Sequence, residues 1–361
     1  MTKRVWAGSR ARTTADPAAL HLHLTARGPA TPPWDAHLFD PPWKATSMSL
    51  RWSTLDTDSV PAWAELTNLL AKVDRTEEYY EAEDLAEELG EPGFDPALDS
   101  IAVWDGDTLV AYSQLRVSLA LTYEGTARAM IGGGVHPDWR GRGIATRMFD
   151  EMEPRGRALA AERHPGEPFE LRASGGLESD PVRPLLTGRG YEIVRYFTAM
   201  QRPLPGDPLP EVTDPRVVPV TEELAEPLRL AHNEAFASHW GSAPQEPEQW
   251  AKGMEARSLR PATSRAAVAD GEVLAYVITG QWVDRELYIS IVGTRPSARG
   301  QGLARQVLTA SLRAAVATGE YDLVELDVDS INPTGAGRLY ESVGFTPVRT
   351  TATFAKVDRT D

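Results

Sequence analysis

The chain has 361 residues, 42% hydrophobic and 25% charged, and this length predicts two or three domains that each bury a core. A formal net charge of −15 argues against nucleic acid or an anionic membrane as a partner, and no apolar run approaches the roughly 18 residues of a membrane span. The chain contains no cysteine, which excludes disulfides, thiol nucleophiles and cysteine-ligated metals. Its N-terminus lacks the apolar core of a secretory signal, so we expect a cytoplasmic protein.

Residues 1–47 are predicted to form a disordered extension, because they are rich in proline and have no sustained helix or strand period. Its prolines are Pro17, Pro29, Pro32, Pro33, Pro41 and Pro42. Met48 stands just before the first patterned run, and we hypothesise that the structured protein begins there. A native protein whose measured mass begins at Met1 would contradict this hypothesis.

The pattern from 48 to 201 predicts a first module with the order strand, helices, strands, helix, strand, helix, strand. The turn Asp105-Gly-Asp107 separates two of its strands. The predicted helices and strands of this module are, in chain order, helices at 63–73 and 77–89, strands at 101–104, 109–117 and 128–135, a helix at 144–161, and strands at 169–173 and from 190.

Residues 202–219 carry six prolines and are predicted to be an inter-domain linker. The same order of elements then returns in a second module, 220–361. Its predicted elements are a helix at 224–237, strands at 266–269, 273–278 and 286–292, a helix at 303–317, a strand at 323–328, a helix at 333–343 and a strand from 346.

A glycine-rich turn occurs once in each module, as Val135 to Ala145 and as Val292 to Ala304. Each copy is a strand end, a proline turn and Arg-Gly-x-Gly-[Ile/Leu]-Ala opening a helix. Glycines let the backbone approach a ligand closely, and the amides of a helix N-terminus favour phosphate. A tight turn without a ligand would explain one copy, but two copies at matching positions favour a duplicated phosphate site. The spacing fits neither a Rossmann nor a Walker motif.

These turns resemble the pyrophosphate loop of the GCN5-related N-acetyltransferase (GNAT) superfamily, [Arg/Gln]-x-x-Gly-x-[Gly/Ala]. Arg140-Gly-Arg-Gly-Ile-Ala145 and Arg299-Gly-Gln-Gly-Leu-Ala304 fit it. The family's later motif is matched by Leu326 to Asn332 and by Arg338 to Phe345. The resemblance extends from about Met48 to the end, and the layout is similar to mycothiol synthase-like tandem acetyltransferases of actinobacteria.

The resemblance implies an α/β fold with a mixed α+β sheet: two tandem modules, each a central, mostly antiparallel sheet flanked by helices. It also implies acetyl transfer from acetyl-CoA to the primary amine of a small molecule, without a metal. Backbone amides of Val292 and Gly293 would hold the tetrahedral oxyanion. The residues implied for acetyl-CoA are Val292, Gly293, Thr294, Arg299, Gly300, Gln301, Gly302, Leu303, Ala304 and Asn332, and in the first module Val135, Arg140, Gly141, Arg142, Gly143, Ile144 and Ala145.

Two residues are candidates for proton transfer. Tyr340 matches the family's general acid, which would protonate the departing thiolate, although an inward-facing aromatic on a helix is also typical of a core. Glu286 begins a strand on which it shares a face with Tyr288 and Ser290, so it is the candidate base. A solvated strand-end glutamate is an equal alternative for Glu286.

The acceptor side is predicted less sharply. The stretch His232 to His239 resembles the acceptor-side helix of the same group, so His232, Glu234 and His239 are candidate pocket residues, with Tyr288 on the neighbouring strand. Ordinary helix-surface positions are the alternative for each of the three helix residues. The acceptor amine itself is not predicted.

The two modules differ in their candidate catalytic residues. Leu186 stands where the second module has Tyr340, and the first module's strand 128–134 has no carboxylate. The first module is therefore predicted to be structural or to bind CoA without turnover. Two alternatives for the whole chain are a non-catalytic acyl-CoA sensor that recruits a protein, and an acetyltransferase of protein or peptide amines. Fused modules can mimic a dimer, which favours a monomer.

Overall fold

A computed structural model describes residues 50–331 and 335–358. The predicted extension, 1–47, and the predicted ligand-binding residue Asn332 lie outside these described residues. Within the described ranges the chain is a mixed α/β protein, with one sheet of twelve strands and helices on both of its faces. On the strand Ser100–Asp105, for example, Ala102 packs under the helices Val60–Val73 and Ala82–Leu89, while Val103 packs under the helix Ile144–Arg163.

Within the described residues, the first module contains eleven helices and strands in the order predicted, with one short helix, α3, added. They are β1 Arg51–Ser53, α1 Val60–Val73, α2 Ala82–Leu89, α3 Pro96–Asp99, β2 Ser100–Asp105, β3 Thr108–Val117, β4 Ala127–Val135, α4 Ile144–Arg163, β5 Phe169–Ser174, α5 Val182–Gly188 and β6 Glu192–Pro203.

Helix α2 begins five residues later than the predicted 77–89. Glu77 has a left-handed φ of +57°, which no helix accommodates. Glu81 and Asp84 then form a reciprocal capping box, and the Glu81 amide donates to Asp84 Oδ2 at 2.9 Å. The cap fixes the start of the helix at Ala82.

The second module repeats the order. Its elements are β7 Val217–Pro219, α6 Ala225–Phe236, α7 Pro247–Glu255, β8 Arg265–Ala269, β9 Glu272–Val283, β10 Glu286–Thr294, α8 Leu303–Thr318, β11 Leu323–Asp329, α9 Ala336–Glu341 and β12 Thr346–Asp358. The stretch 202–219 includes the end of β6 and all of β7. Strand β7 is the edge of the sheet, a position that tolerates its proline.

The two modules share one continuous sheet because their last strands are exchanged. The strand order is β1-β2-β3-β4-β5-β12-β6-β11-β10-β9-β8-β7. Strand β12 pairs antiparallel with β5, from Thr353 opposite Ser174 to Asp358 opposite Phe169. Strand β6 in turn pairs antiparallel with β11. The closing strand of each module therefore completes the sheet of the other.

The exchange extends into the hydrophobic cores. Ala352 and Phe354 of β12 are buried in the first module's core, against residues such as Leu171. Met200 and Leu204, at the end of β6, are buried in the second module's core. Each core thus depends on residues from the opposite half of the chain.

Candidate active site

A glycine turn joins β10 to α8 and leaves a row of backbone amides pointing outward. Gly300 and Gly302 have φ of +77° and +76°, in the left-handed region that favours glycine. The turn's first helical bond is donated by the Gln306 amide to the Gly302 carbonyl at 3.2 Å. The amides at the start of α8 consequently have no carbonyl of a preceding turn to bind. They form, with the positive end of the helix dipole, a site suited to phosphate oxygens.

A cavity of about 500 Å³ opens beside this turn, between β10, β11, α9 and the end of α6. It brings together most of the residues predicted for acetyl-CoA. Those lining it are Val292, Gly293, Thr294, Arg299, Gly300, Gly302, Leu303 and Ala304. Gln301 is not among the lining residues and is exposed. Arg299 donates to the carbonyl of Ala235 at 3.0 Å, which ties the turn to the end of α6.

The cavity reaches the sheet where β10 and β11 separate. Their parallel pairing runs only from Glu286 opposite Leu323 to Tyr288 opposite Glu325. On its other side, β10 pairs with β9 through a register shift between Ile289 and Ile291. Beyond Tyr288 the backbone of β10 therefore faces the gap rather than β11, which leaves amides on that side for a ligand.

Gly293 is required by packing within this strand. A Cβ atom at this position would lie 2.4 Å from the ring of Tyr276, on the neighbouring strand β9. Because real Cβ contacts are never that short, a larger residue would displace either the ring or the strand end that lines the cavity.

Tyr340 lies on α9 and lines the cavity while it also belongs to the second module's core. Its ring makes an edge-to-face contact with Phe345, with centroids 6.1 Å apart. Burial raises the pKa of the Tyr340 phenol well above its usual range. The phenol is therefore protonated at neutral pH and can donate a proton or a hydrogen bond. The two interpretations offered for this residue, acid and core aromatic, are compatible.

A second cavity, of about 250 Å³, lies between the modules. Its lining comes from both halves and includes Arg116, Arg128 and Met130 of the first module. It meets the larger cavity at residues that line both, Ser290, Ile291 and Asp327. This junction joins the glycine-turn cavity to the space between the modules.

Tyr288 and Asp327 are joined at this junction. The Tyr288 hydroxyl donates a hydrogen bond to Asp327 Oδ2 at 3.0 Å. Burial, and then the charge of Asp327, raise the pKa of Tyr288 well above its usual range. Tyr288 was predicted from sequence, whereas Asp327 was not. The signal that could have indicated Asp327 is the alternation of carboxylates Glu325, Asp327 and Asp329 along the strand that faces the gap.

The two predicted histidines lie in different places. His232 has 0% exposure, its Nδ1 is 2.7 Å from the Tyr276 hydroxyl, and its ring stacks on Phe236. Burial, and then nearby His239, lower the pKa of His232 to about 3, so the ring is neutral and part of the core. This corrects its prediction as a pocket residue. His239 does line the larger cavity, and burial and then Arg299 lower its pKa to about 4.

The two predicted glutamates line neither cavity. Glu234 forms an ion pair with Arg295, which fastens α6 to the turn after β10. Glu286 is at the start of β10, where its charge contributes to raising the pKa of Tyr79 in the first module. Its position is thus about one strand length from the glycine turn, and the structure does not bring it to the junction of the cavities.

The first module has a similar cavity of about 450 Å³ beside its own glycine turn. The predicted residues lining it are Val135, Arg140, Gly141, Gly143, Ile144 and Ala145. Arg142 does not line it and stacks on Trp139 instead. Arg140 is held by two hydrogen bonds to the carboxylate of Asp74, at 2.8 and 2.7 Å.

The cavity beside the first module's glycine turn has no counterpart of three polar side chains found in the second module: Tyr288, Asp327 and Tyr340. The parallel pairing begins at Ala127 opposite Phe169 in the first module and at Glu286 opposite Leu323 in the second. Counting along the strands from these pairs, Ala129 takes the position of Tyr288. Ala173 takes the position of Asp327. Matching backbone bonds, Tyr191 to Leu186 at 3.0 Å and Phe345 to Tyr340 at 3.1 Å, align Leu186 with Tyr340. Each of the three polar positions is apolar in the first module.

Two kinds of feature are absent from the part of the chain that the structure describes, a metal-ligand cluster and a membrane-spanning helix. No group of three or more His, Asp or Glu side chains there is arranged to hold a metal ion. No helix within the same ranges is long and apolar enough to cross a membrane.

Comparisons with known proteins agree with the repeated motif. The sequence model of the Acetyltransferase (GNAT) family matches residues 61–164 and 225–345. A mycothiol acetyltransferase of Thermomonospora curvata is 33% identical over 225 residues, which cover 59% of this chain and 68% of that protein. A mycothiol acetyltransferase of Streptomyces avermitilis is 31% identical over 252 residues, covering 66% and 74%.

Solved structures share the fold. A GCN5-related N-acetyltransferase from Sphaerobacter thermophilus has a TM-score of 0.65 at 23% identity and covers 85% of this chain and 95% of that one. A tandem GNAT protein from the clavulanic acid biosynthesis pathway has a TM-score of 0.60 at 19% identity, with 87% and 100% covered. At these sequence identities, the similarity shows a shared fold and nothing about function.

Proposed function

Because the chain belongs to the acetyltransferase (GNAT) family and is an acyltransferase, we propose that it transfers an acetyl group from acetyl-CoA to the primary amine of a small molecule. We assign the chemistry to the C-terminal module, 220–361. The observation that carries this proposal is the cavity of about 500 Å³, in which the glycine turn, the gap between β10 and β11, and Tyr340 meet.

The glycine turn would bind the diphosphate of CoA. The amides from Gly300 to Ala304 are those at the start of α8, and Arg299 beside them adds positive charge. The thioester end would then enter the gap after Tyr288, where the amides of Val292 and Gly293 are our candidates for holding the oxyanion. Asn332, outside the described residues, remains a sequence-based candidate for the pantetheine contact.

Tyr340 is proposed as the general acid. When the amine nitrogen attacks the thioester carbonyl, a C–N bond forms, and the C–S bond breaks as the tetrahedral intermediate collapses. The leaving CoA thiolate, with a reference pKa near 8.5 by, takes a proton from the Tyr340 phenol. Because burial raises the pKa of Tyr340, the phenol is protonated at neutral pH and its proton is present when the thiolate forms. Solvent then returns a proton to the phenol.

The first module, 48–201, is proposed to be non-catalytic. It keeps the glycine turn and a cavity, but alanines and a leucine replace the polar residues of the second site. It would then either stabilise the fold or hold CoA without turnover. In this interpretation, 202–219 connects the modules, and the protein is a monomer whose fused halves take the place of a dimer.

A small-molecule acceptor is favoured over a protein acceptor. The two relatives described above are named mycothiol acetyltransferases, and the cavity between the modules, of about 250 Å³, has room for a small molecule. The formal charge of −15 suits a cationic amine as the approaching substrate.

Calorimetric titration of acetyl-CoA into the full chain tests the proposal, followed by a screen of primary amines for CoA release. We expect one tight site or two sites of unequal affinity, and CoA release with at least one amine. Binding without release with any amine would favour the acyl-CoA sensor instead. No binding at millimolar acetyl-CoA would mean that both turns are structural.

A further inference from the structure

Acetyl transfer to an amine needs a group that removes a proton, because an ammonium ion has no lone pair with which to attack. The identity of this group rests on the proposed function, but it does not depend on how acetyl-CoA binds. Glu286 and Glu234 line neither cavity, and His232 is enclosed in the core. The base is therefore expected where the glycine-turn cavity, which would hold acetyl-CoA, meets the cavity between the modules, which would hold the acceptor.

Asp327 is at that meeting point. Three residues line both cavities, Ser290, Ile291 and Asp327, and Asp327 is the one with an ionisable side chain. It is two residues beyond Glu325, the last residue of β11 that pairs with β10. Its backbone is held on the other side by β6, opposite Ala199. The strand thus holds a carboxylate in the gap through which the acetyl group must pass.

The neighbouring carboxylates on β11 are engaged by arginines. Glu325 is buried and forms an ion pair with Arg349, and Asp329 is buried with Arg195 at 3.7 Å. Asp327 lies between them, is partly exposed, and accepts a hydrogen bond from the neutral Tyr288 hydroxyl. Burial lowers the pKa of Arg349, but Glu325 and then the charge of Asp327 raise it overall, so a positive charge also lies near Asp327. Asp327 lines both cavities, whereas Asp329 lines the larger one alone and Glu325 lines neither.

We infer that Asp327 is the general base, which binds the acceptor ammonium group at the junction of the two cavities and removes its proton, with Tyr288 as a positioning residue. The ammonium transfers one proton to the Asp327 carboxylate and becomes a neutral amine. Its nitrogen then forms the C–N bond and loses a second proton as the amide forms, while the thiolate gains one proton from Tyr340. Asp327 releases the first proton to solvent before it accepts the second, and solvent reprotonates Tyr340, so the reaction as a whole releases one proton.

The first module provides an internal comparison. Strand register places Ala129 and Ala173 at the positions of Tyr288 and Asp327, and both alanines are buried. The carboxylate and the phenol that orients it are therefore both absent from the module that also lacks the Tyr340 counterpart. Loss of the whole set together is expected if these side chains serve one reaction.

The test uses two probe amines of similar size in the full chain, ethylamine, which is protonated at neutral pH, and trifluoroethylamine, which is largely neutral. Asp327→Asn should lower the rate of CoA release with ethylamine by about 10²- to 10⁴-fold, the usual contribution of a general base. The loss with trifluoroethylamine should be under about tenfold, because that amine has no proton to lose before attack. Tyr288→Phe should give a smaller loss with the same selectivity for ethylamine.

Calorimetry with acetyl-CoA separates the inference from the proposed function. Asp327→Asn should bind acetyl-CoA as the wild type does, which also shows that it is folded, and Asp327→Glu should recover part of the rate. Asp322→Asn is the matched control, since Asp322 is exposed just before the same strand and pairs with Arg285 at the surface.

Three results would overturn the inference while acetyl-CoA still binds: equal losses with the two amines, a rate for Asp327→Asn near that of the wild type, or no release with either amine in the wild type. Loss of acetyl-CoA binding in the wild type would instead overturn the proposed function.

Discussion

Among single residues, the contrast between Tyr340 and Leu186 carries much of the functional argument. Both are buried at the same position of a strand–helix–strand unit, where a Gly-Phe or Gly-Tyr pair follows at the same spacing. The motif around Tyr340 made its place predictable from sequence. Asp327 was not predictable, because three carboxylates alternate along one strand and only the tertiary structure shows which one lines both cavities.

His232 shows where sequence reasoning could have gone further. Leu228, Ala231 and Ala235 are buried on one face of α6, and the helical spacing puts His232 on that same face. The resemblance to an acceptor-side helix outweighed this periodicity and led to a pocket assignment. A buried, neutral imidazole beside Tyr276 is the physical outcome.

Tyr340→Phe should lower kcat by about 10²-fold or more while leaving acetyl-CoA affinity unchanged, because only the transferable proton is removed. Steady-state CoA release and calorimetry measure the two quantities. Tyr321→Phe is the matched control, since Tyr321 is buried in the same core but lines neither cavity. Unchanged kcat for Tyr340→Phe would contradict the assignment of the acid.

The protein should become less stable as the pH falls below about 6.5. The pKa of His232 is lowered from 6.5 to about 3 in the folded state, so in this window the unfolded chain binds one more proton. The contribution of His232 to the free energy of unfolding is fully present above pH 6.5. It decreases by about 1.4 kcal/mol per pH unit as the pH falls toward 3. Urea unfolding of the wild type and His232→Gln across this range measures the effect. Parallel curves would contradict it.

At the scale of elements, the strands that close each module matter most. The order and type of most strands and helices followed from apolar periodicity and turn residues, whereas α3, β7, α7 and the late start of α2 did not. The exchange of β6 and β12 could not be predicted either, because the two strands occupy equivalent positions and pairing with either module satisfies the same local pattern. Only their long-range partners distinguish the two arrangements.

Phe354→Ala should destabilise the protein by about 3–5 kcal/mol, the usual cost of truncating a buried phenylalanine. The side chain is 2% exposed and packs in the first module's core, although it belongs to the last strand of the second. Val357→Ala, on the same strand at 63% exposure, should change stability by less than about 0.5 kcal/mol. Denaturant titration compares the two, and equal values would contradict the exchanged packing.

For the molecule as a whole, two homologous modules share a sheet while the side chains that line their cavities differ. The duplication, the fold and the identity of the modules were predictable from the repeated Arg-Gly-x-Gly turn. The joint cavity between them was not, because its walls come from residues far apart in the chain, such as Arg116 and Asp327. The cavity between the modules exists only when both modules are present.

Neither half of the chain should fold alone. A fragment ending at 210 lacks β12 and exposes the edge of β5, and a fragment from 211 lacks β6 and the buried Met200 and Leu204. Co-expressed halves should associate and recover acetyl-CoA binding, as followed by circular dichroism and calorimetry. An isolated second half that binds acetyl-CoA as tightly as the full chain would show that the exchanged strands are dispensable.

The central claim is that acetyl transfer takes place in the second module, and paired substitutions in the two glycine turns test it most directly. Gly302 and Gly143 have φ of +76° and +80°, and a Cβ at either position would meet nothing within 4 Å, so tryptophan imposes the same backbone strain at both. The measurement is the rate of CoA release at saturating amine. We predict that Gly302→Trp abolishes release and that Gly143→Trp stays within about threefold of the wild type, a change under 1 kcal/mol. Abolished release in Gly143→Trp with a near-normal rate in Gly302→Trp would contradict the account.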